Sequence, residues 1–270
     1  MIFALSIIAI LFCIGVVGYG ILQRRWFIPL PKDSLRVLMY HDVRPDICDG
    51  LTITPEQLHA HIEWLQHNNY TIISAHSVVE HIRSRCTLPH NAVLLTFDDA
   101  YETFLHHAVP VLTKLRVPAI VFVPTAFIGM TNYWDDNTKL LMSEKQLREL
   151  VKYDIAIGSH SHAHLNYAEF GLEEVWKDSG DSYSVLTTFG NNFVPLFAYP
   201  YGKFPKEPEM LVATNNVFRT HNFMGALRIK NRINPLPLEN PFLITRTDIT
   251  GYDTIETFAR KVRTGGLQLF

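Results

Sequence analysis

The sequence predicts an α/β protein built on one parallel sheet, either doubly wound or closed into a barrel. Two observations carry that expectation. Short apolar runs alternate with helical patterns from Arg36 to Val262, which is the pattern of consecutive strand–helix units. The residues suited to chemistry fall just after three of the strands, where the reactive loops of a parallel sheet gather. No internal repeat, low-complexity tract or interior linker breaks the alternation, so one domain is expected.

Before that domain comes an apolar segment. No charged side chain occurs from Met1 to Gln23, and Ile2–Leu22 is apolar nearly throughout. At about 1.5 Å rise per residue such a helix crosses a hydrocarbon layer of ~30 Å. A cleaved signal peptide prefers a basic start and a shorter apolar run, whereas Arg24-Arg25 here follow the run. A retained transmembrane anchor over 1–23 is therefore expected, with a Pro-containing linker over 24–34. The two arginines argue for a domain on the inner face, but one pair leaves the side open.

The elements follow in order. Arg36–Tyr40 reads as a buried strand. Thr54-x-x-Gln57 with Pro55 is a capping box with proline at the first helical position, followed by Leu58, Ile62 and Leu65 on one face. Ala92–Phe97 is a strand, with a helix from about Tyr101 to Leu115. Ala119–Val123 and Ile155–Ile157 are strands. Between them Ser143-x-x-Gln146 caps a helix carrying Leu147, Leu150 and Val151. A helix is expected from Leu172 to about Phe189, strands at Leu196–Tyr199 and Phe242–Thr245, and a last helix capped by Asp253-x-x-Glu256.

Composition narrows the function. The chain has 270 residues, with Lys+Arg 24 against Asp+Glu 26 and a net charge of -2. There is no basic excess to hold a phosphate backbone, so nucleic-acid binding is not expected. A hydrophobic share of 47% excludes a disordered chain. Three cysteines (Cys13, Cys48 and Cys86) are too few for a disulfide scaffold and lack zinc-ribbon spacing; pairing of Cys48 with Cys86 is left open.

Three clusters carry candidate chemistry. Thr96-Phe97-Asp98-Asp99 ends a strand with two adjacent carboxylates, whose repulsion a bound cation relieves; an aspartate capping the next helix is the plainer alternative. His160-Ser161-His162-Ala163-His164 follows the Ile155–Ile157 strand. Spaced four apart, His160 and His164 share one face of a helical turn as a metal pair requires, with His162 pointing elsewhere; a histidine-rich surface loop is the alternative. Tyr199-Pro200-Tyr201-Gly202 is a tight turn whose backbone N–H groups can face a ligand, or simply a turn. Together they supply two nitrogens, one oxygen and a spare carboxylate, a set that leaves positions for water and substrate.

In this order the three clusters resemble the first three motifs of the polysaccharide deacetylase family, the NodB-homology group of carbohydrate esterase family 4. Met39-Tyr40-His41-Asp42-Val43 is similar to the start of its poly-N-acetylglucosamine deacetylase branch, and the resemblance spans about Leu35 to Val262. It implies a distorted, incomplete (β/α) barrel of the NodB-like kind in a catalytic domain over 35–270. It also implies metal ligands Asp99, His160 and His164, a general base Asp98, and an oxyanion contact from the Tyr201 N–H. His41 becomes the general acid, with His221 as the fallback. Tyr199, Pro200 and Arg246 are the expected substrate contacts. Where the family usually has glycine after the aspartates stands Ala100, and Ala198 replaces a base-orienting arginine. Arg246 either substitutes for that arginine or forms a structural salt bridge. The implied cofactor is a divalent metal, zinc first, with Co, Ni, Mn or Fe able to serve.

The resulting expectation is a membrane-tethered hydrolase removing N-acetyl groups from an amino-sugar polymer. A carbohydrate substrate, the membrane, and a polysaccharide synthase or export machinery are its partners. Two alternatives stand beside it. One is a deacylase of a lipid-linked amino sugar at the membrane. The other is a carbohydrate-binding protein with a dead site, stacking sugar on Tyr133, Trp134, Tyr199 and Tyr201.

Overall fold

The structure is a computed structural model that describes residues 33–265. The expected anchor at 1–23 and nearly all of the linker at 24–34 lie outside the described residues. Among the described residues no helix is long and apolar enough to cross a membrane. Ser34, assigned to the linker, already belongs to the first strand.

The sheet closes. Its strands are β1 (Ser34–Tyr40), β2 (Asp42–Val43), β3 (Thr52–Ile53), β4 (Thr71–Ile72), β5 (Ala92–Phe97), β6 (Ala119–Val123), β7 (Ile155–Ser159), β8 (Phe193–Ala198), β9 (Gly225–Ile229), β10 (Asn234–Pro235) and β11 (Ile244–Asp248). The ring runs β1-β11-β9-β8-β7-β6-β5 and returns to β1, all pairs parallel. This is a seven-stranded barrel, distorted in a specific way. β1 meets β11 only at Leu38 and Met39 and β10 only at Ser34 and Leu35. β5 meets β6 at Thr96 and Phe97 but β4 at Ala92 and Val93. The ring is therefore tightest toward the carboxyl ends of β1 and β5, while short extra strands fill the other end.

Around it lie α1 (Pro55–His67), α2 (Ala75–Ser84), α3 (Val109–Leu115), α4 (Glu144–Glu149), α5 (Leu172–Thr187), α6 (Pro208–Thr220) and α7 (Ile255–Thr264). Strand side chains alternate, as a period of two demands. Leu94, Ile120, Phe122 and Leu196 join the interior cluster, and Leu95, Val121 and Ile157 pack outward against helices. Ala75, Val78 and Val79 of α2 belong to the interior cluster, so this helix closes the amino-terminal mouth. Gly158 has no substitute here: a Cβ would come within 2.7 Å of the Phe122 ring that fills the barrel.

Several local expectations need correction. The last helix is capped by Thr254, whose side chain accepts from Thr257 N–H; Asp253 instead receives Thr250 N–H and Lys261 Nζ. Phe242 lies in a 3-10 turn and the strand starts at Ile244. Val151 is exposed, although Leu147 and Leu150 are buried. A π-helical turn, Phe104–Ala108, precedes α3. Sequence pattern does not announce α2, α6 and β9, because Thr214-Asn215-Asn216 in α6 and the valine pair in α2 are weak helix formers that tertiary packing overrides.

Candidate active site

The two aspartates reach one cavity because the chain turns sharply between them. Asp98 N–H donates to Tyr40 O, extending the β5–β1 ladder by one residue. Asp99 and Ala100 then adopt φ of 69° and 54°. In a continued strand adjacent side chains would point to opposite faces; the left-handed turn brings both carboxylates to the barrel mouth.

The histidine loop is held differently from the helical turn expected. It is irregular, with φ of 70° at Ser161 and 54° at His164, and a buried carboxylate of α5 shapes it. Asp178 accepts from Ser161 Oγ (2.7 Å), His162 N–H (3.1 Å), Ala163 N–H (2.8 Å) and Tyr167 Oη (2.6 Å). The His162 ring pairs with Thr125 Oγ1, away from its neighbours. His160 and His164 still meet, with ring centroids 4.9 Å apart.

Their orientation is chemically specific. The Ala198 carbonyl can only accept, so His160 Nδ1, 2.8 Å away, carries the proton and Nε2 presents a lone pair. That Nε2 and His164 Nε2 each lie 3.4 Å from Asp99 Oδ1. One ligand atom from each of the three residues falls within 4.8 Å of the other two, and all three residues are buried. Asp99 Oδ1 has no hydrogen-bond partner among the described residues. A buried, orphaned carboxylate oxygen facing two imidazole nitrogens fits a cation.

Asp98 is satisfied from the other side. Arg246 Nη1 lies 2.6 Å from its Oδ1, while Oδ2 is 3.9 Å from His160 Nε2 and 4.0 Å from His41 Nε2. Burial opposes ionisation of Asp98, but Arg246, then His160 and His41, outweigh it and hold the carboxyl below the usual carboxylate range. Burial opposes ionisation of Asp99 too, and the two imidazoles hold it well below that range. Burial also opposes protonation of His160, yet Asp98 and Asp99 raise its pKa, whereas burial lowers that of His164.

Arg246 is wholly buried, reaching up from the barrel interior with its guanidinium 5.7 Å from the Phe122 ring centroid. It meets the site through Asp98 and has no face for a substrate, which corrects its expected role. Tyr199 is equally buried, in the apolar cluster with Phe197 and Phe218, and Pro200 is covered as well. His221 contacts Ser179 Oγ and Trp176, away from the residues lining the cavity. His41 lines the cavity, and its Nδ1 is buried without a partner among the described residues.

The cavity has a volume of about 400 Å³, and Met39, Leu51, Tyr101, Trp134, Asp135, Tyr201, Ile229 and Asp248 complete its wall. Trp134 stacks on His164 at 4.2 Å between centroids, and Tyr201 meets the same ring edge-on at 4.7 Å. Tyr133 is exposed outside this wall. A larger groove of about 750 Å³ beside α2 holds no comparable cluster of ligands among the described residues. Cys48 and Cys86 are both free thiols and do not pair. Asp178 and Asp248 belong to none of the three sequence clusters. The only signal for Asp178 is an acidic residue among Val175, Ser179 and Ser182 on the buried stripe of α5.

Comparison with known proteins bears on the domain that carries this site. Residues 86–217 match the family model described as polysaccharide deacetylase. A poly-beta-1,6-N-acetyl-D-glucosamine N-deacetylase of Staphylococcus epidermidis is 28% identical over 195 residues, covering 63% of this chain. The chain spans 66% of that relative's length and 59% of a Bacillus subtilis relative's. Among solved structures, IcaB from Ammonifex degensii superposes with a TM-score of 0.72 at 21% identity, covering 87% of this chain and 98% of that one. A de-N-acetylase from Aggregatibacter actinomycetemcomitans gives 0.71 at 20%, covering 85% and 100%. At such identities the structural likeness speaks for the barrel, and the family match speaks for what residues 86–217 are: a polysaccharide deacetylase domain.

Proposed function

We propose that this protein is a metal-dependent N-deacetylase of an N-acetylated amino-sugar polymer of the poly-N-acetylglucosamine kind. It would release acetate and leave a free amino sugar. The observation that carries the reading is the convergence of two buried imidazole nitrogens on the orphaned Asp99 Oδ1, with Asp98 beside them. The name of the Staphylococcus epidermidis relative supports the substrate class.

Asp99, His160 and His164 would hold the cation, and two nitrogens with one carboxylate oxygen suit zinc first, then Co, Ni, Mn or Fe. Bound there, it supplies Lewis acidity, lowering the pKa of a water and polarising the amide carbonyl. Asp98, kept ionised by Arg246, takes the proton of the attacking water, a contribution of about 10²–10⁴ in rate. The Tyr201 backbone N–H steadies the carbonyl oxygen as charge builds on it. His41, across from Asp98, gives a proton to the departing nitrogen, because an amine leaves poorly without one. Trp134 and Tyr201 offer aromatic faces to a sugar ring.

Membrane attachment is proposed on the sequence of 1–23 alone. Sedimentation of the full chain with membranes, against a chain starting at 35, tests it. The chemical roles are tested by metal content and acetate release in two variants. Asp98→Asn keeps its metal and loses at least about 10² in turnover, whereas Asp99→Ala loses the metal itself. Equal metal content in the two contradicts the division of roles between base and ligand. His41→Ala slows turnover with the metal retained.

A further inference from the structure

Beside the catalytic cavity lies a second charged feature, of opposite sign. Lys203 and Lys206 follow the Tyr199–Gly202 turn, and Arg228, Lys230 and Arg232 sit on and just beyond β9. Lys206 Nζ lies 3.6 Å from the Phe204 ring centroid and the Arg228 guanidinium 4.8 Å from it, so one buried aromatic ring gathers two cations.

Carboxylates do not neutralise the group. Elsewhere Arg44, Arg83, Lys139, Arg148, Lys177, Arg246 and Lys261 each have an acidic partner. Among the described residues none of these five has one, and Glu207 and Glu209 nearby in the chain form no ion pair with them. The repulsion is felt. Burial and then Arg228, Lys203 and Lys230 lower the pKa of Lys206, and Arg228 with Arg232 lowers that of Lys230. Five unpaired cations in a chain of net charge -2 are a local arrangement rather than a global excess.

None of the five cations lines the cavity, but the segments that carry them do. Tyr201 and Ile229 line the cavity, and Lys203 and Lys230 lie just past them in the chain. The two segments are pressed together: Gly202 has φ of 63°, and a Cβ there would sit 2.6 Å from Ile229 Cγ1. The cations thus flank the segments that wall the cavity, within reach of a substituent projecting from a sugar seated there.

We propose that Lys203, Lys206, Arg228, Lys230 and Arg232 form an anion subsite that receives a phosphate group attached to the amino sugar undergoing deacetylation. Among N-acetylated amino sugars, those bearing a phosphate or phosphodiester substituent would then be preferred over unsubstituted ones. This rests on the deacetylase reading for its substrate but not for its test, which measures binding without turnover.

The experiment titrates metal-loaded Asp98→Asn protein with N-acetylglucosamine 1-phosphate and with N-acetylglucosamine at low and high salt. The phosphate compound binds about tenfold more tightly at low salt, and the gain shrinks as salt screens the cations. The double charge reversal Lys206→Glu with Lys230→Glu, both exposed, abolishes the gain and leaves neutral-sugar binding unchanged. Lys145→Glu with Lys152→Glu, which changes net charge equally at a distant site, has no effect. Equal affinity for the two sugars overturns the subsite, and so does an equal loss in both double variants. An anionic phosphatidylglycerol vesicle is the third arm. Binding to it that depends on the five cations, with no preference between the two sugars, overturns the subsite in favour of membrane docking. Failure of the parent to release acetate from any sugar would sink the deacetylase reading while leaving this comparison intact.

Discussion

Asp178 and Asp99 are buried carboxylates that serve the same histidine loop, and they differ in what satisfies them. Asp178 accepts from a serine and a tyrosine hydroxyl and from two backbone N–H groups. Asp99 Oδ1 faces only two imidazole nitrogens and has no hydrogen-bond partner among the described residues. A carboxylate closed off by donors holds structure. A carboxylate oxygen left without a donor beside two imidazole nitrogens is arranged for an ion. Burial alone does not separate the two, and the partners do.

The sharpest way to break this comparison is to remove each in turn. Asp178→Ala strands two buried hydroxyls and two part-buried backbone N–H groups at once, costing about 5 kcal/mol in unfolding free energy and releasing the loop that presents both histidines. Denaturant unfolding should show this loss in metal-free protein. Asp99→Ala, measured likewise without metal, should show a smaller loss: it gives up the attraction of the two imidazoles but strands no hydrogen-bond donor at Oδ1. If both lose stability equally, the distinction between a structural and an ion-binding carboxylate fails.

The same contrast explains what is legible in the sequence. Asp98-Asp99, His160, His164 and the Tyr199–Gly202 turn are short strings at strand ends, and a parallel sheet sends strand ends to one face. Asp178 and Asp248 reach the site only through tertiary packing, from a helix stripe and a strand at the barrel seam. The left-handed residues Asp99, Ala100, Ser161 and His164 are not glycines, so nothing local announces their turns. Arg246 is recognisable as a candidate partner for the base, but its burial within the barrel is not. Alternation yields a parallel sheet, doubly wound or closed, and the family resemblance selects the barrel; β9, opening with a glycine on a short run, is announced by neither.

Arg246 extends the comparison to Asp98, a carboxylate closed on one side by a cation. Arg246→Leu leaves Asp98 buried and uncompensated, a cost of about 3–5 kcal/mol. The kinetic consequence has a definite sign. Activity requires ionised Asp98, so it is present above the Asp98 pKa and is lost as pH falls through it. Removing the guanidinium raises that pKa, and the acid limb of the pH–rate profile should move upward. An unmoved limb would assign the base elsewhere.

Histidines divide in the same way. His160 faces two carboxylates, whereas His61 lies flat on Phe258 with ring centroids 3.9 Å apart. Burial lowers the pKa of His61 to about 4, against Asp253, which acts to raise it. A depressed histidine favours the neutral folded form, so the unfolded chain binds the proton more readily below its own pKa near 6.5. Stability should fall between pH 6.5 and 4 and level off below, by on the order of 3 kcal/mol at most from this group. His61→Phe should flatten that part of the profile, and an unchanged slope would place the titration in other groups.

The smallest effect is expected at Ala100, next to the open carboxylate. Its φ of 54° costs an L residue roughly 1–2 kcal/mol, which glycine would relieve. Against this, Ala100→Gly adds about 0.4–1 kcal/mol of unfolded-state entropy and gives up a buried methyl of about 0.8 kcal/mol. Ala100 is buried in the outer apolar cluster, so the methyl counts in full. The terms nearly cancel, and the melting temperature should barely move, with metal content unchanged. The comparison with Asp99 lies in what can be exchanged. At Ala100 the left-handed strain can be removed without touching the site, whereas at Asp99 relief by glycine also removes the carboxylate. If Ala100→Gly lowers metal content, the methyl positions Asp99, and the turn rather than the orphaned oxygen alone defines the site.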